Sequence, residues 1–353
     1  MKNKKHIYLF IPVILLFTIS CTCGAPNLQH FLSNNESVTV IEQTESEIEA
    51  PESVVEAVEA PENEDTTLAF GAGITGGDID VFNVNHFVNG DYVSVIGLIK
   101  NNTNSMINGV DLSMILYDAD GKITATESVY PSLSMVPPGE IMPFYVSSDA
   151  WGNFARYEFV IDTYYETEKE LVEGVVLKGH HINVEGYAPM IVGEIENNSL
   201  VPVEWVNIAG MVYDTNGILL DVATTYSTLD IIPPGGKSPF KMYMNYGWSG
   251  YDHYELIVQA EEAYEFPADI VVTDYETTSN DYSTTFTGTV KNNTSEDLSF
   301  VKVAATFYDE HGQVVSCDWT FAAEENIPAN GTGTFELSIW EDLAYSEVVF
   351  QAQ

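Results

Sequence analysis

The chain carries a 48-residue cassette three times, and this repeat limits its possible folds more than any other feature. The copies run over 97–144, 193–240 and 288–335, with no insertion or deletion between them. Each opens with Gly-x-x-x-Asn-Asn-Ser/Thr, continues to Tyr-Asp-x-x-Gly, reaches a proline turn and ends in Phe. Self-similarity at a fixed length is the signature of a repeated structural unit. The sequence therefore predicts three successive copies of one domain.

The residues before each Tyr-Asp alternate between apolar and other side chains. A period of two predicts a β-strand with one buried face, and helical spacing fits none of the copies. The residues predicted to face inward are Val110, Leu112, Met114 and Leu116, then Val206, Ile208, Gly210 and Val212, then Val301, Val303, Ala305 and Phe307.

Turn signals separate the predicted strands. Asn, Ser and Thr in the Asn-Asn-Ser/Thr loop can bond their own backbone. In the segment from Asp118 to Gly121 we expect a hairpin turn, in which Asp caps a nearby N–H group and Gly takes a left-handed conformation. About seven strands per copy, with turn signals every ~8–12 residues, are typical of an immunoglobulin-like sandwich. We therefore predict an all-β protein with three tandem immunoglobulin-like antiparallel β-sandwich domains, at 79–164, 175–262 and 268–353.

The Gly-x-x-x-Asn-Asn start, the Tyr-Asp-x-x-Gly turn and the strand that ends in Phe resemble the FxLYD domain of bacterial cell-envelope proteins. The resemblance covers all three copies, from about residue 78 to the last residue. The first motif position differs, since Met114, Gly210 and Ala305 stand where the family has Phe. The resemblance implies a β-sandwich module of exported bacterial proteins with no established activity, and it supplies no catalytic residue.

The first 20 residues predict a secretory signal. A basic start precedes an apolar run over 7–19, which is too short to span a bilayer comfortably. Residues 17–21 resemble the lipobox of bacterial lipoproteins, which implies a lipid anchor on Cys21. The alternative is an ordinary secreted protein in which Cys21 and Cys23 are released with the signal or pair with each other.

Residues 21–78 predict an acidic, disordered linker. No Lys or Arg occurs from residue 24 to 78, whereas Glu recurs beside Pro51 and Pro61. Such a segment repels itself and stays extended. It would hold the domains away from the membrane.

The charge of the whole chain excludes one class of partner. Its 53 acidic and 12 basic residues give a net charge of -41, which repels phosphate backbones, so we expect no nucleic-acid binding. An apolar content of 45% is ample for packed cores. Only three cysteines are present, so the cores rather than disulfides must supply the stability.

No motif predicts a catalytic residue, a metal site or a cofactor. Asp118 and Asp120 lack the further ligands of a calcium loop, so they are interpreted as turn residues. Adjacent residues on a strand point to opposite faces, so His180 and His181 are interpreted as a surface pair rather than as metal ligands. The His nearest to Cys317 in sequence is His311, at the tip of a predicted hairpin, and the other two copies have no Cys at this position, so Cys317 is interpreted as a structural thiol.

A tryptophan recurs seven residues before the Glu of the last predicted strand in each domain. It either plugs the open end of the sandwich or offers its ring to a sugar or a peptide. Exposure of the three tryptophans to solvent would favour binding, and their burial would favour a plug and hence a purely structural spacer. These candidate ligand-binding aromatics are Trp151, Trp248 and Trp340.

Together these features predict a non-enzymatic lipoprotein, exported and anchored through Cys21 to the bacterial cell membrane, facing outside. Its tandem modules would bind or display at the surface, where repeated weak sites gain from effective concentration. The expected partners are the membrane and a cell-wall glycan or a protein. The alternatives are a purely structural stalk and an accessory protein of an envelope hydrolase.

Overall fold

The computed structural model describes residues 73–89, 92–149, 155–184, 188–245, 248, 250–340 and 343–353. The predicted signal, Cys21 and nearly all of the predicted linker lie outside these residues. Within the described part, the regular secondary structure consists of β-strands alone. These strands pair antiparallel, which confirms the all-β prediction. Among the same residues, no helix has the length and the apolar character needed to cross a membrane.

The strands fall into three groups that follow the sequence repeat. Repeat 1 has β1 (Ile79–Asn89), β2 (Tyr92–Asn101), β3 (Met106–Tyr117), β4 (Ile123–Pro131), β5 (Ile141–Ser148) and β6 (Arg156–Thr167). Repeat 2 has β7 (Val175–Asn183), β8 (Met190–Asn197), β9 (Val203–Asp214), β10 (Leu219–Tyr226), β11 (Ile231–Ile232), β12 (Lys237–Tyr243) and β13 (Tyr251–Glu262). Repeat 3 has β14 (Ile270–Ser279), β15 (Thr284–Asn292), β16 (Leu298–Ser299), β17 (Lys302–Tyr308), β18 (Val314–Phe321), β19 (Asn326–Ile327), β20 (Thr332–Ile339) and β21 (Glu347–Ala352).

The same two strand arrangements occur in every repeat. Sheet A is β1-β2-β5 in repeat 1, β7-β8-β12 in repeat 2 and β14-β15-β20 in repeat 3. Sheet B is β4-β3-β6, β10-β9-β13 and β18-β17-β21 in the same order. A short β4–β5 pairing joins the two sheets of repeat 1. The inner faces of the two sheets pack together into a buried core in each repeat.

The predicted inward residues line these cores. Leu112, Ile208 and Val303 are 2%, 0% and 0% exposed, and each lies on the central strand of its sheet B. The period-two prediction of strand and buried face is therefore confirmed at all three copies.

The Gly that opens each cassette and the Phe that ends it are cross-strand partners in sheet A. A Cβ atom on Gly97 would lie 2.5 Å from the Phe144 ring, closer than real Cβ atoms approach. The ring therefore requires glycine beneath it, and the two residues recur as a pair. The three pairs are Gly97 with Phe144, Gly193 with Phe240, and Gly288 with Phe335.

The first Asn of the Asn-Asn pair connects distant parts of the cassette. Asn101 is fully buried, and its Nδ2 donates to the carbonyl oxygens of Ser105 and Val136, each at 2.8 Å. Its Oδ1 accepts from the N–H and hydroxyl of Thr103. Asn197 and Asn292 make the equivalent bonds, and each reaches a carbonyl 35 residues further along the chain. In every copy, one buried side chain therefore connects the two ends of this interval.

The Asp-x-x-Gly hairpin turns form as predicted. Asp118 Oδ1 accepts from the backbone N–H groups of Asp120 and Lys122, at 3.0 and 2.8 Å, and Gly121 has a φ of +81°. Asp214 and Asp309 cap their turns in the same way. Backbone donors, chiefly the N–H of Ile218 for Asp214 and of Gln313 for Asp309, lower the pKa of both carboxyls.

The alternating pattern predicts one buried face for each strand and so an exposed outer face for sheet B. In repeats 2 and 3, however, this outer face is also buried. Met211 and Thr306 are each 1% exposed, whereas Ile115 at the equivalent position of repeat 1 is only partly buried. Sheet A of one repeat covers sheet B of the next, at both junctions. The repeats therefore stack head to tail in one direction.

The junction between repeats 1 and 2 is mainly apolar. Ile96 and Leu98 on β2 pack with Met211, Leu219 and Val222. Hydrogen bonds between the two repeats accompany this contact. The Nδ2 atoms of Asn83 and Asn85 donate to the carbonyls of Gly217 and Leu219, at 3.0 and 2.8 Å, respectively. The Gln259 side chain donates to the Met135 carbonyl.

The junction between repeats 2 and 3 is polar. Glu194 stands where repeat 1 has Leu98, and it is 4% exposed. Its carboxylate accepts a hydrogen bond from the Tyr308 hydroxyl at 2.6 Å and pairs with Lys237 Nζ at 2.6 Å. Burial, followed by the bond to Glu194, raises the pKa of Tyr308. A buried carboxylate requires such partners, so this contact has stricter geometry than the apolar one.

Candidate ligand-binding surfaces

The three tryptophans singled out by sequence have different surroundings. Trp151 lies outside the described residues. Trp248 is half-buried against the core of repeat 2, and its Nε1 donates to Asp221 Oδ2 at 3.0 Å. Asp221 is itself fully buried and also accepts from the Asn245 N–H at 2.9 Å. Trp248 therefore closes the core and satisfies a buried carboxylate, which is the contact expected of a plug.

Trp340 occupies the same sequence position in repeat 3 but is 74% exposed. It lies at the rim of a cleft of about 410 Å³ at one end of the repeat. Phe286, Phe307 and Tyr345 line the cleft, and the rings of Phe307 and Tyr345 are 5.1 Å apart. An exposed indole beside a cleft that aromatic residues help to line is the arrangement expected of a binding surface.

A second set of exposed aromatics was missed from the sequence. Trp205 and Phe300 have φ values of +51° and +55°, in the left-handed region that bulky side chains rarely adopt. They are 67% and 70% exposed. Gly109 holds the equivalent position in repeat 1, with a φ of +103°. Each non-glycine residue of this kind costs roughly 1–3 kcal/mol, and such strain concentrates at functional sites.

A β-bulge causes this conformation in repeat 2. Glu204 pairs with Glu261 and Asn207 with Gln259, so β9 has one more residue than β13 over this interval. On its other side β9 changes partner here, from β11 to β10. The extra residue departs from the regular ladder, and the Trp205 ring is directed to solvent.

The Trp205 ring lies beside a second exposed ring. Tyr226 is 58% exposed, and together with Trp205 it lines an open pocket of about 170 Å³. We call this the bulge pocket. Its residues are Glu204, Trp205, Tyr226, Ser227 and Asp230.

Repeat 3 places aromatic rings at the matching positions. Phe321 corresponds to Tyr226 and lies 5.2 Å from the Trp319 ring, edge to face. Lys302 Nζ lies 5.4 Å from the centre of the Trp319 ring and 2.6 Å from Asp230 Oδ1. Asp230 therefore belongs both to the bulge pocket and to an ion pair that connects repeat 2 with repeat 3.

The sequence contained a signal for this site. When the cassettes are superimposed, the thirteenth residue is Gly109, Trp205 or Phe300, and the thirty-fourth is Tyr130, Tyr226 or Phe321. A position that alternates between glycine and an aromatic is typical of a left-handed bulge whose side chain does not contribute to the core. The recurrent aromatic opposite it strengthens the signal.

The residues that were weighed as metal ligands or as a nucleophile are held by contacts within the fold. The ring of His180 contacts the Tyr254 hydroxyl through Nδ1 at 2.9 Å, and burial lowers the pKa of His180. Cys317 is 4% exposed. Over the parts of the chain that the structure describes, no group of three or more His, Cys, Asp or Glu could hold a metal ion.

Comparison with known proteins finds no matching family model and no matching curated protein.

Proposed function

We propose that this chain is an exported, non-enzymatic surface protein whose tandem domains present aromatic binding sites outside the cell. One observation carries the proposal: Trp205 and Phe300 hold left-handed backbone conformations at matched positions and expose their rings. The strained backbone at these residues costs free energy, and an exposed ring does not recover it by packing in the core. The compensating interaction therefore lies outside the core.

We further propose that each repeat is an immunoglobulin-like β-sandwich domain, at 79–164, 175–262 and 268–353, related to the FxLYD domain. Two antiparallel sheets with a shared core in every repeat support this assignment. The motif residues that carry the resemblance also have structural roles, namely the Gly–Phe pair, the buried Asn and the Asp turn.

The place of action proposed is the outer side of the bacterial cell membrane, with a lipid anchor on Cys21 and an acidic linker over 21–78. The basic start, the apolar run and the lipobox-like residues support this placement. At that location the partners within reach are a cell-wall glycan or another envelope protein.

The test uses the fact that repeat 1 carries glycine where repeat 2 carries Trp205. Trp205→Gly relieves the backbone strain, so we expect the free energy of unfolding to stay level or rise. We expect co-sedimentation of the full protein with isolated envelope material to fall, most clearly in the Trp205→Gly/Phe300→Gly double variant. Tyr264→Ala is the matched control, because Tyr264 is 99% exposed.

The second candidate is a rigid spacer, and the two buried junctions favour it, since they remove the freedom between successive repeats. A spacer predicts that both glycine variants bind envelope material as the unmodified protein does. Loss of stability in Trp205→Gly would also contradict the binding proposal, because the ring would then be structural.

A further inference from the structure

The bulge pocket combines ring faces with negative charge. Two of its five residues are aromatic, Trp205 and Tyr226, and two are acidic, Glu204 and Asp230. The face of an aromatic ring attracts cations, and a neighbouring carboxylate adds direct Coulomb attraction. The pocket therefore has the composition that recognises an ammonium or guanidinium group.

The protein already binds one of its own cations in this way. Lys302 Nζ donates to Asp230 Oδ1 at 2.6 Å, has no other acidic partner among the described contacts, and lies 5.4 Å from the Trp319 ring centre. It also donates to the Thr228 carbonyl at 3.2 Å. One carboxylate, one carbonyl and one ring thus hold an ammonium group at the edge of the bulge pocket.

Repeat 2 provides no such cation of its own. The residue equivalent to Lys302 is Asn207, and its Nδ2 donates to the Ser132 carbonyl of repeat 1 at 3.2 Å. Lys302 of repeat 3 pairs with Asp230 at one edge of the bulge pocket, so Glu204 is the pocket carboxylate that has no ion-pair partner among the described contacts. The exposed Trp205 and Tyr226 rings and the Glu204 carboxylate are therefore open to a cation from another molecule.

We propose that the bulge pocket binds a lysine or arginine side chain from a basic peptide segment of another protein. The inference rests on the proposed binding function and names its ligand class. The net charge of -41 supports it, because the long-range field attracts basic segments and repels acidic ones. A pocket of about 170 Å³ has the scale of a single side chain.

A neutral glycan is the competing ligand class, since sugars also stack on exposed rings. The carboxylates distinguish the two. They attract a cation in a salt-dependent manner, whereas they contribute little long-range attraction to a neutral sugar. Binding of the correct class should therefore weaken with added salt and with the loss of Glu204.

The experiment titrates the full protein with a short Lys/Arg-rich peptide, its Gln-substituted analogue and a neutral oligosaccharide, by calorimetry at low and high salt. We expect only the basic peptide to bind, and less tightly at high salt. Trp205→Gly should weaken that binding by about tenfold and Glu204→Gln by about three- to tenfold. Glu168→Gln, which removes one exposed charge elsewhere, should change it by less than about twofold.

Three results would overturn the inference. Equal weakening by Glu168→Gln and Glu204→Gln would mean that the peptide binds the acidic surface in general. If the oligosaccharide binds, the peptide does not, and Trp205→Gly abolishes the oligosaccharide binding, then the ligand is not a cation, although the proposed binding function stands. Binding of neither ligand, together with envelope binding that Trp205→Gly leaves unchanged, would reject both. Circular dichroism of each variant establishes that it is folded.

Discussion

Replacing Asn197 by alanine should destabilise repeat 2 far more than the same change at its neighbour Asn198. The Asn197 Nδ2 donates to the carbonyls of Val201 and Ile232, both at 2.8 Å. Its Oδ1 accepts from the N–H and hydroxyl of Ser199, at 2.9 and 2.6 Å. Asn197 is fully buried, whereas Asn198 is exposed.

The magnitude follows from which partners remain bonded. The single proton of the Ser199 hydroxyl can go either to Asn197 Oδ1 or to the Val201 carbonyl, which lies at 2.9 Å, so in the variant it satisfies that carbonyl. Ile232 is 0% exposed and loses the side-chain donor to its carbonyl, which costs about 1–3 kcal/mol. The Ser199 N–H loses its acceptor and the Asn197 donor to Val201 is lost, at about 1 kcal/mol each. We therefore expect a loss of about 3–5 kcal/mol, a large share of the ~5–15 kcal/mol that stabilises a typical domain.

The assay is urea unfolding of the full protein, followed by circular dichroism and by tryptophan fluorescence. Trp248 packs in repeat 2 and reports on that repeat. The Asn198→Ala control should remain within about 0.5 kcal/mol of the unmodified protein, as exposed substitutions usually do. If Asn197→Ala and Asn198→Ala have the same unfolding midpoint, the buried Asn does not stabilise the cassette.

Three further predictions concern the core and the junctions. Trp248→Phe removes the donor to buried Asp221 and should lower the free energy of unfolding by about 1–3 kcal/mol in urea; an unchanged value would exclude the plug role. Burial raises the pKa of Tyr308, so its stabilising contribution is present below the unfolded pKa of about 10 and is lost as pH rises toward the folded value. The free energy of unfolding should therefore fall between pH 8 and 11, and Tyr308→Phe should reduce this fall. An equal dependence on pH in the variant would contradict the assignment to Tyr308. Gly193→Ala places a Cβ 2.7 Å both from the Phe240 ring and from His180 Cβ and should cost about 1–3 kcal/mol, with the part due to the ring recovered in a double variant that also carries Phe240→Leu. Thermal unfolding tests the pair, and strictly additive effects would show that the ring is not the source of the clash.

Much of the local structure could be predicted from the sequence. Alternation identified the strands and their buried faces, as at Leu112 and Ile208, because side chains on a strand alternate between its two faces. The Asp turns were equally predictable, since Asp118 caps residues only two and four positions away. The sequence also placed Trp248 and Trp340 in the same register, but it could not distinguish their surroundings.

The burial of outer faces and the exposure of aromatic rings depend on contacts between residues that are distant in the sequence. Ile115 and Met211 hold the same position in their cassettes, yet only Met211 is fully buried, because sheet A of the preceding repeat lies over it. Trp205 became a candidate once the bulge gave its backbone a left-handed conformation and exposed its ring. The sequence by itself determined where the strands and turns lie, since those depend on neighbouring residues. Only the tertiary structure decided which outer faces meet another repeat and which aromatic rings remain in solvent, because exposure depends on everything that packs against a residue.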